Sequence, residues 1–335
     1  MPLFDFFKDT IFLKENSDLQ DRCDALIKLK NEYPNNENIQ EELYIIKKGL
    51  EGENEIKYQL SKSNLGLYVL RDVNFEIDGL KAQIDYIVIT KANCYFIECK
   101  NLVGNITVNE KGDFIREYTI NGKKIRKGMY SPLRQVEAQR DVFKKIWNNS
   151  LSDNKIWNTI KRAIAENNFT NSHRVLVVAA NNETILNTKY APKDIKDKVI
   201  KADALIRKIQ QDLDRTDKDL WDTKKGMEAW ALGFLKRSIE NKIDYYNFYK
   251  EKFIREEIVT KEDNSNLKNI LIEFRKNRSK ELNIPAYYVF TNEELDSLVE
   301  NKPKTLEKLK EMKILSPIKV KTHGELIIEI LNNRS

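Results

Sequence analysis

The stretch QIDYIVITKANCYFIECK, residues 83–100, reads as two apolar strands joined by a short turn, yet it carries charges among residues typical of a buried sheet. Side chains alternate between the two faces of a strand. Gln83 and Asp85 therefore share one face, and Glu98 and Lys100 share one face of the next strand. Each of the two predicted strands has one charged face.

The pairing of the two strands decides whether these charges meet. A two-residue turn at 91–92 sets Asp85 opposite Glu98 and Gln83 opposite Lys100, at the roughly 5 Å usual for cross-strand neighbours. A slip of one residue would scatter them. Adjacent carboxylates repel unless a cation lies between them, and hard oxygen ligands suit Mg²⁺ or Mn²⁺. The alternative is that the E-x-K pair is a solvated ion pair, which is common and nearly neutral in energy.

Composition bounds the class of protein. The chain has 335 residues, 41% of them hydrophobic, which is ample for folded cores. A net charge of +6 permits a polyanionic partner without demanding one. The three cysteines lack C-x-x-C spacing, so neither a disulfide framework nor a structural zinc site is expected.

Localisation is predicted from the N-terminus and from the hydrophobic runs. MPLFDFFKDTIFLKENSD, residues 1–18, has no basic n-region, and charges interrupt its apolar run. No later run approaches ~18 apolar residues. We expect a cytoplasmic protein without a membrane-spanning segment.

The order of predicted elements indicates a mixed α/β sheet. A helix over about 39–61 precedes strands at 67–77, 82–90 and 94–100. Asn121-Gly122 is a type I′ turn signal for a further hairpin. A helix then opens with Ser131 as N-cap and Pro132 at its first position, and HRVLVVAA, residues 173–180, is a buried strand of the parallel-sheet kind.

The helix over 39–61 carries a carboxylate where an apolar residue is expected. Helical spacing from Ile39 gives a core-facing stripe with Glu53 in its middle, between apolar positions. Gly49 and Gly52 lie nearby although each costs a helix about 1 kcal/mol, which favours a close approach by another backbone or a ligand. Glu53 is predicted to be a third acid aimed at the sheet. The alternative is that it pairs with a buried arginine.

Four pieces of the chain resemble a known family in order and spacing. GLEGENEI (49–56), QIDYIVIT (83–90), CYFIECKNLVGNI (94–106) and SPLRQVEAQ (131–139) resemble the NERD, or nuclease-related, domain of the PD-(D/E)XK nuclease superfamily. The resemblance covers roughly residues 38–215. It implies a mixed sheet flanked by helices and cleavage of phosphodiester bonds with a metal ion.

The resemblance also implies the site residues. Its catalytic positions correspond to Glu53, Asp85, Glu98, Lys100 and Gln135. As metal ligands we predict the carboxylates of Asp85, Glu98 and Glu53 with the backbone carbonyl of Cys99, and Mg²⁺ as the cofactor, with Mn²⁺ as a substitute. For Gln135, simple solvation of a surface side chain is an equally good interpretation.

A second resemblance lies near the C-terminus. IPAYYVFTNEEL (284–295) and KPKTLEKLKEM (302–312) resemble the HRDC domain, a small helical module of RecQ-type helicases and ribonuclease D. The chain departs from that family at Ser316-Pro317, where a glycine-containing hairpin is usual. The resemblance implies contact with DNA or with a protein partner.

These signals predict four segments and one function. The segments are a helical lead-in (1–37), the nuclease domain (38–215), a helical connector with a linker (216–263), and the HRDC-like domain (264–335). The linker is signalled by the polar stretch TKEDNSN, residues 260–266. We expect a Mg²⁺-dependent nuclease acting on DNA in DNA processing or in defence against foreign DNA. The alternative is a catalytically inactive nucleic-acid-binding adaptor that recruits a helicase or another partner.

A basic run on the far arm of the predicted hairpin is the expected contact for the DNA backbone. Phosphate contacts give affinity without sequence information. The residues are Lys123, Lys124, Arg126 and Lys127. The alternative is a charged sheet edge that prevents aggregation.

Overall fold

A computed structural model of the chain describes residues 7–120, 122–149 and 169–332, with the backbone alone given for 255–263. The chain divides into two compact units, Met1–Tyr246 and Asn247–Ser335. In these described ranges, no helix is long and apolar enough to cross a membrane. The first unit is a mixed α/β domain and the second is helical, as predicted.

Ten strands make up the described sheets of the first unit. They are β1 (Thr10–Lys14), β2 (Leu67–Ile77), β3 (Leu80–Ile89), β4 (Cys94–Lys100), β5 (Asn105–Val108), β6 (Phe114–Ile120), β7 (Lys123–Met129), β8 (His173–Ala179), β9 (Leu186–Asn187) and β10 (Val199–Lys201). One sheet has the order β1-β2-β3-β4-β8-β10 and the other has the order β7-β6-β5-β9. The β2-β3-β4 meander is antiparallel, whereas β8 runs parallel to β4.

The register of β3 on β4 is the one predicted from the turn. Ile89 pairs with Cys94 and Tyr86 pairs with Ile97, which leaves a two-residue turn at 91–92. The turn is closed by the Thr90 amide, which donates to the Asn93 carbonyl at 2.8 Å. The paired residues 86–89 and 94–97 are buried on both faces of the sheet, so the length of the turn, rather than apolar alternation, sets this register.

Helices of the first unit cover the two faces of the larger sheet. They are α1 (Asp18–Glu32), α2 (Glu37–Ser61), α3 (Pro132–Asn149), α4 (Lys193–Lys196), α5 (Leu205–Asp214), α6 (Lys224–Arg237) and α7 (Tyr245–Lys250, which crosses the unit boundary). One face packs on α3 and α6, where Phe96, Val136 and Phe234 belong to one core. The other face packs on α2 and α5, where Ile56, Tyr95 and Leu205 belong to a second core.

The helix α3 begins as predicted. Pro132 is its first residue, and Ser131 Oγ accepts from the Arg134 amide at 3.2 Å. Proline suits this position because its missing amide hydrogen would have no partner in the first turn.

The predicted hairpin is β6–β7. Ile120 pairs with Lys123, so the connection holds two residues, and Gly122 has a φ of 75°. Asn121, the other predicted turn residue, lies outside the described residues. Ile106, Val108 and Phe114 of this smaller sheet join the core of the α3 face.

The prediction of a purely helical lead-in over 1–37 is wrong. Thr10–Lys14 forms β1, which pairs in parallel with β2 at the sheet edge, and only Asp18–Glu32 is helical. The pairing joins residues more than fifty positions apart, which local periodicity does not reveal.

The predicted connector also belongs largely to the first unit. Met227, Ala231 and Phe234 of α6 lie in the core beneath α3. The boundary between the two units therefore falls at Tyr246 rather than near residue 215.

The second unit consists of a π-helical turn (Glu251–Arg255) and the helices α8 (Glu256–Glu281), α9 (Ala286–Val289), α10 (Asn292–Asn301), α11 (Leu306–Glu311) and α12 (Pro317–Asn332). Its own core includes Leu271, Leu298 and Ile327. The linker predicted at TKEDNSN is wrong, because α8 runs through residues 260–266. Polar residues alone do not stop a helix, and the stretch contains neither glycine nor proline.

Candidate active site

Asp85 and Glu98 meet where the pairing of β3 with β4 ends. The last paired residues are Tyr86 and Ile97, so the same register places Asp85 opposite Glu98. Beyond that pair, the side chain of Asp85 takes over the role of a backbone acceptor, since its Oδ2 accepts from the Cys99 amide at 2.7 Å. The predicted juxtaposition of the two acids follows from this geometry.

Strand alternation places both acids on the α3 face of the sheet. Asp85 alternates with Ile87, and Glu98 alternates with Phe96, and both apolar residues lie in the core of that face. Asp85 is half-buried and Glu98 is only 3% exposed. Two carboxylates are thus taken out of water side by side.

Lys100 and Gln135 complete the group on this face. Lys100 Nζ donates to Glu98 Oε1 at 2.5 Å and to Gln135 Oε1 at 3.3 Å. Gln135 comes from the first turn of α3, so this helix brings its side chain to the E-x-K pair of β4. Of the two interpretations of Gln135, the structure shows a contact with Lys100 rather than simple solvation.

The second oxygen of Glu98 has no hydrogen-bond partner in the described part of the chain. Glu98 Oε2 is buried, and no donor of a described residue reaches it. An unpartnered buried carboxylate oxygen is costly, and a divalent cation would satisfy it. Together with the carboxylate of Asp85 it makes a hard oxygen donor set of the kind that Mg²⁺ prefers. The residues present therefore fit a magnesium or manganese ion.

The electrostatics of the pair agree with that fit. Burial raises the pKa of Asp85 well above its usual range, and the neighbouring charges of Glu98 and Glu53 raise it further. The Cys99 amide and the Lys100 ammonium oppose this shift of the pKa. A cation would remove the repulsion that keeps the proton on the pair.

Glu53 does not join this group, which corrects the prediction of a third metal-binding acid. Its Oε2 accepts from Arg71 Nε at 2.9 Å and from Ser17 Oγ at 2.8 Å. Within the described residues, no group of three or more His, Cys, Asp or Glu side chains is arranged to hold a metal ion. The alternative, a buried arginine partner, is what the structure shows.

The physical reason is the side of the sheet from which Glu53 comes. Its helix, α2, packs on the face opposite α3, where Ile56 lies in the second core. Tyr86, which points to that same face, donates its hydroxyl to the Glu53 carbonyl at 2.8 Å. Burial raises the pKa of Glu53, against the lowering effect of Arg71.

The glycines of α2 allow protein atoms, rather than a ligand, to come close. A Cβ on Gly52 would lie 2.5 Å from Asn101 Cβ and 3.1 Å from Cys99 Sγ, and one on Gly49 would lie 3.1 Å from a Leu19 methyl. The close neighbours are side chains, whereas the sequence predicted a backbone or a ligand. Helix α2 therefore lies tightly against the end of β4, beside the acidic pair.

Sequence reasoning missed three polar residues next to this site. Arg71 and Asp72 are buried in the middle of β2, and Ser17 is buried at the start of α1. The signal for the first two was present, because LYVLRDVNF is an apolar strand interrupted by two charges. No local pattern marks Ser17 as a partner of Glu53.

The basic run lies on β7, an edge strand of the smaller sheet. Its cations are exposed, and Arg126 forms an ion pair with Glu117 at 2.9 Å. Alternation puts the first and last lysines on one face of the strand and the other two cations on the opposite face. The four residues are Lys123, Lys124, Arg126 and Lys127.

Comparison with known families supports both resemblances. The nuclease-related domain family, NERD, matches residues 48–165, and the HRDC domain family matches residues 266–331. Among solved structures, the chain is similar to D. radiodurans RecQ HRDC domain 3. The identity is 34%, the match covers 21% of this chain and 92% of that chain, and the TM-score is 0.20. No curated protein matches the chain.

Proposed function

The chain combines a nuclease-related domain with an HRDC domain, and from that premise we propose that it is a metal-dependent nuclease hydrolysing phosphodiester bonds in DNA. The observation that carries the proposal is the pairing of Asp85 with Glu98, whose buried Oε2 has no partner among the described residues. Lys100 lies beside this pair, at 2.5 Å from Glu98 Oε1. Two acids can hold a metal ion that activates water for hydrolysis of a phosphodiester, and the lysine beside them supplies a positive charge for the phosphate.

Asp85 and Glu98 are proposed to hold Mg²⁺ or Mn²⁺ through their carboxylates, with the Cys99 carbonyl as a further oxygen. Such an ion polarises a phosphate oxygen and lowers the pKa of a bound water. The Cys99 amide holds Asp85 Oδ2 and so fixes the orientation of this carboxylate. Glu53 is proposed to act from the other face of the sheet, as a fixed negative charge held by Arg71.

Lys100 is proposed to orient the attacking water and to stabilise charge on the phosphate. An ammonium has three N–H donors. Two of them are directed at Glu98 and Gln135, which leaves a third for water or phosphate. Gln135 keeps the lysine over the acidic pair by accepting one of its hydrogen bonds.

The exposed cations of β7 are proposed to contact the DNA backbone. Edge strands carrying lysines also resist pairing with other chains. The HRDC domain supports nucleic-acid binding by the second unit. Selection of DNA rather than RNA is part of the proposal, as is a role in DNA processing or defence.

The decisive experiment is cleavage of linear, circular and single-stranded DNA and of RNA by the purified chain, with Mg²⁺ or EDTA. Asp85→Ala and Glu98→Ala should each lower the cleavage rate more than about 100-fold, since even an outer partner of a metal ligand is worth 10- to 100-fold. Glu76→Ala is the matched control, because Glu76 is an exposed carboxylate on β2.

Two results would contradict the proposal. One is cleavage by either acid variant at the wild-type rate in Mg²⁺. The other is binding of nucleic acid without cleavage under every condition, which would favour the inactive adaptor.

A further inference from the structure

The strand β2 is interrupted at one residue, and that residue lies opposite Asp85. The β2–β3 pairing runs through Arg71 with Tyr86 and resumes at Val73 with Ile84. Asp72, between them, has a φ of 53° and is 3% exposed. A positive φ is unfavourable for a residue with a Cβ, although aspartate tolerates it better than most.

This interruption leaves Asp85 at a break on both sides of β3. The β3–β4 pairing ends at Tyr86, and the β2–β3 pairing skips Asp72. Asp85 is therefore not held by a regular ladder at its own position. Because Asp72 lies opposite Asp85, contacts that hold the backbone of Asp72 also restrict the position of Asp85.

Residues 14–18, from the end of β1 to the first residue of α1, hold the backbone of Asp72 in place. Lys14 Nζ donates to the Arg71 carbonyl at 3.0 Å and to the Asp72 carbonyl at 2.5 Å. The Asp18 amide donates to Asp72 Oδ2 at 2.6 Å, and Gln83 Nε2 donates to Asp72 Oδ1 at 2.7 Å. Both carboxylate oxygens and the carbonyl of the strained residue are thereby occupied.

The same segment also reaches the second acid. Ser17 Oγ donates to Glu53 Oε2 at 2.8 Å, and Arg71, next to the strained residue, lies 2.8 Å from the same oxygen. Residues 14–18 therefore contact both Asp72, which lies opposite Asp85, and Glu53, which comes from the other face of the sheet. They precede the part of the chain matched by the nuclease-related family, which begins at residue 48.

We propose that Lys14 is a positioning residue of the acidic site, which acts by holding Asp72 in its left-handed conformation and so fixing Asp85 for the metal ion. The inference rests on the proposed function for its effect on catalysis. Its effect on metal binding can be measured without cleavage. Lys14 is half-buried, so its replacement by methionine keeps the apolar stem and removes the hydrogen bonds to the Arg71 and Asp72 carbonyls, together with a longer one to the Asn16 carbonyl.

The experiment compares Mn²⁺ affinity by calorimetry, without DNA, for the full chain and its variants. Lys14→Met should raise the Kd for Mn²⁺ about tenfold, the size expected when a group that orients a metal ligand is lost. Asp72→Gly should act in the same direction, because glycine accepts the positive φ but provides no acceptor for Asp18 and Gln83. Lys14→Arg, which can still donate to both carbonyls, should restore most of the affinity.

The matched control is Lys57→Met. Lys57 Nζ lies 2.7 Å from Glu15 Oε2, within the same segment of residues 14–18, but it does not hold Asp72. This variant should leave the Kd for Mn²⁺ unchanged.

With DNA, Lys14→Met should lower kcat and leave KM within about twofold, because a positioning residue does not contribute to substrate affinity.

The outcomes distinguish failure of the inference about Lys14 from failure of the proposed nuclease activity. A lower melting temperature in EDTA with an unchanged Kd for Mn²⁺ makes Lys14 merely structural and overturns the inference, whatever the cleavage rate. Weaker Mn²⁺ binding by Lys14→Met in a chain that never cuts DNA supports the inference and contradicts the nuclease. A wild-type chain that binds no Mn²⁺ overturns both.

Discussion

Asp85 destabilises the fold before any cation binds, because burial and the charge of Glu98 raise its pKa above the usual 3.8. The folded chain then binds this proton more tightly than the unfolded chain. Stability is consequently lost as the pH rises from the unfolded pKa through the folded one, and the penalty is complete above it. If Asp85 and Glu98 bind a cation as proposed, removing the cation should expose this cost.

The first prediction concerns a variant that removes the destabilisation caused by Asp85. Asp85→Asn should raise the melting temperature in EDTA, and the gain should grow as the pH rises above the usual pKa of aspartate, while stabilisation by Mn²⁺ is abolished. The gain should shrink as the pH falls toward the usual pKa of aspartate. Thermal unfolding across the pH range measures both effects, with Glu76→Gln as a control on an exposed carboxylate. An unchanged melting temperature at the higher pH would argue against the raised pKa.

Glu53 and Arg71 form a buried ion pair, with side chains 8% and 5% exposed. Breaking such a pair from one side leaves an uncompensated charge out of water. Arg71 also precedes Asp72, the residue at which β2 is interrupted. Its replacement should therefore disturb the packing on both faces of the sheet.

The second prediction follows from this burial. Arg71→Met should lower the free energy of unfolding by about 3–5 kcal/mol at neutral pH. Arg126→Met, which breaks the exposed pair with Glu117, should cost less than about 1 kcal/mol. Denaturant titration of both variants provides the measurement. Equal costs would show that the burial of the Glu53 pair is not what matters.

The strand β7 presents its cations at the edge of a sheet, where two roles compete. Phosphate contacts would make these cations part of the substrate site, and removal of their positive charges would then weaken DNA binding. Protection of the edge would make them a barrier to aggregation, and binding would then be indifferent to them. Arg126 is already paired with Glu117, so the three lysines are the better test.

The third prediction concerns Lys123, Lys124 and Lys127 together. Their replacement by glutamine should raise KM for DNA, leave kcat unchanged and reduce the slope of log K against log salt by roughly 0.9 per lost phosphate contact. Glutamine keeps the strand polar, so the smaller sheet should remain folded. If KM is unchanged and the variant aggregates, the cations serve the sheet edge instead.

The two units have separate hydrophobic cores. In the second unit, Pro285 caps α9 and Pro317 begins α12, with Ser316 Oγ accepting from the Lys319 amide at 3.4 Å. The Ser-Pro pair that departs from the HRDC family is thus a helix start. Helix α10 also ends just before Pro303.

The fourth prediction separates the contributions of the units. A chain ending at Tyr246, the boundary of the first unit, should retain the maximal rate on saturating DNA. Its affinity and the salt dependence of binding should both fall, because fewer counterions are released. Binding curves across a salt series, for full-length and shortened chains, measure this. Identical slopes and affinities would assign the HRDC domain to a protein partner or to stability.

The sequence by itself determined the meander and its turn. The short turn at 91–92 sets the register of β3 on β4, and this register puts Asp85 opposite Glu98. It also determined the start of α3 at Ser131 and Pro132, because caps and prolines act locally. Even Glu53 was correctly placed on the buried side of α2, since helical spacing is a local property.

Only the tertiary structure decided what these residues touch. The partner of Glu53 is Arg71, which comes from a strand that packs against α2, and no periodicity encodes a contact between separate elements. The strand at Thr10–Lys14 forms by pairing with β2, more than fifty residues away. The left-handed Asp72 is held by Lys14 and Asp18. Contacts between distant parts of the chain depend on the packed fold, and single-sequence patterns describe only neighbours.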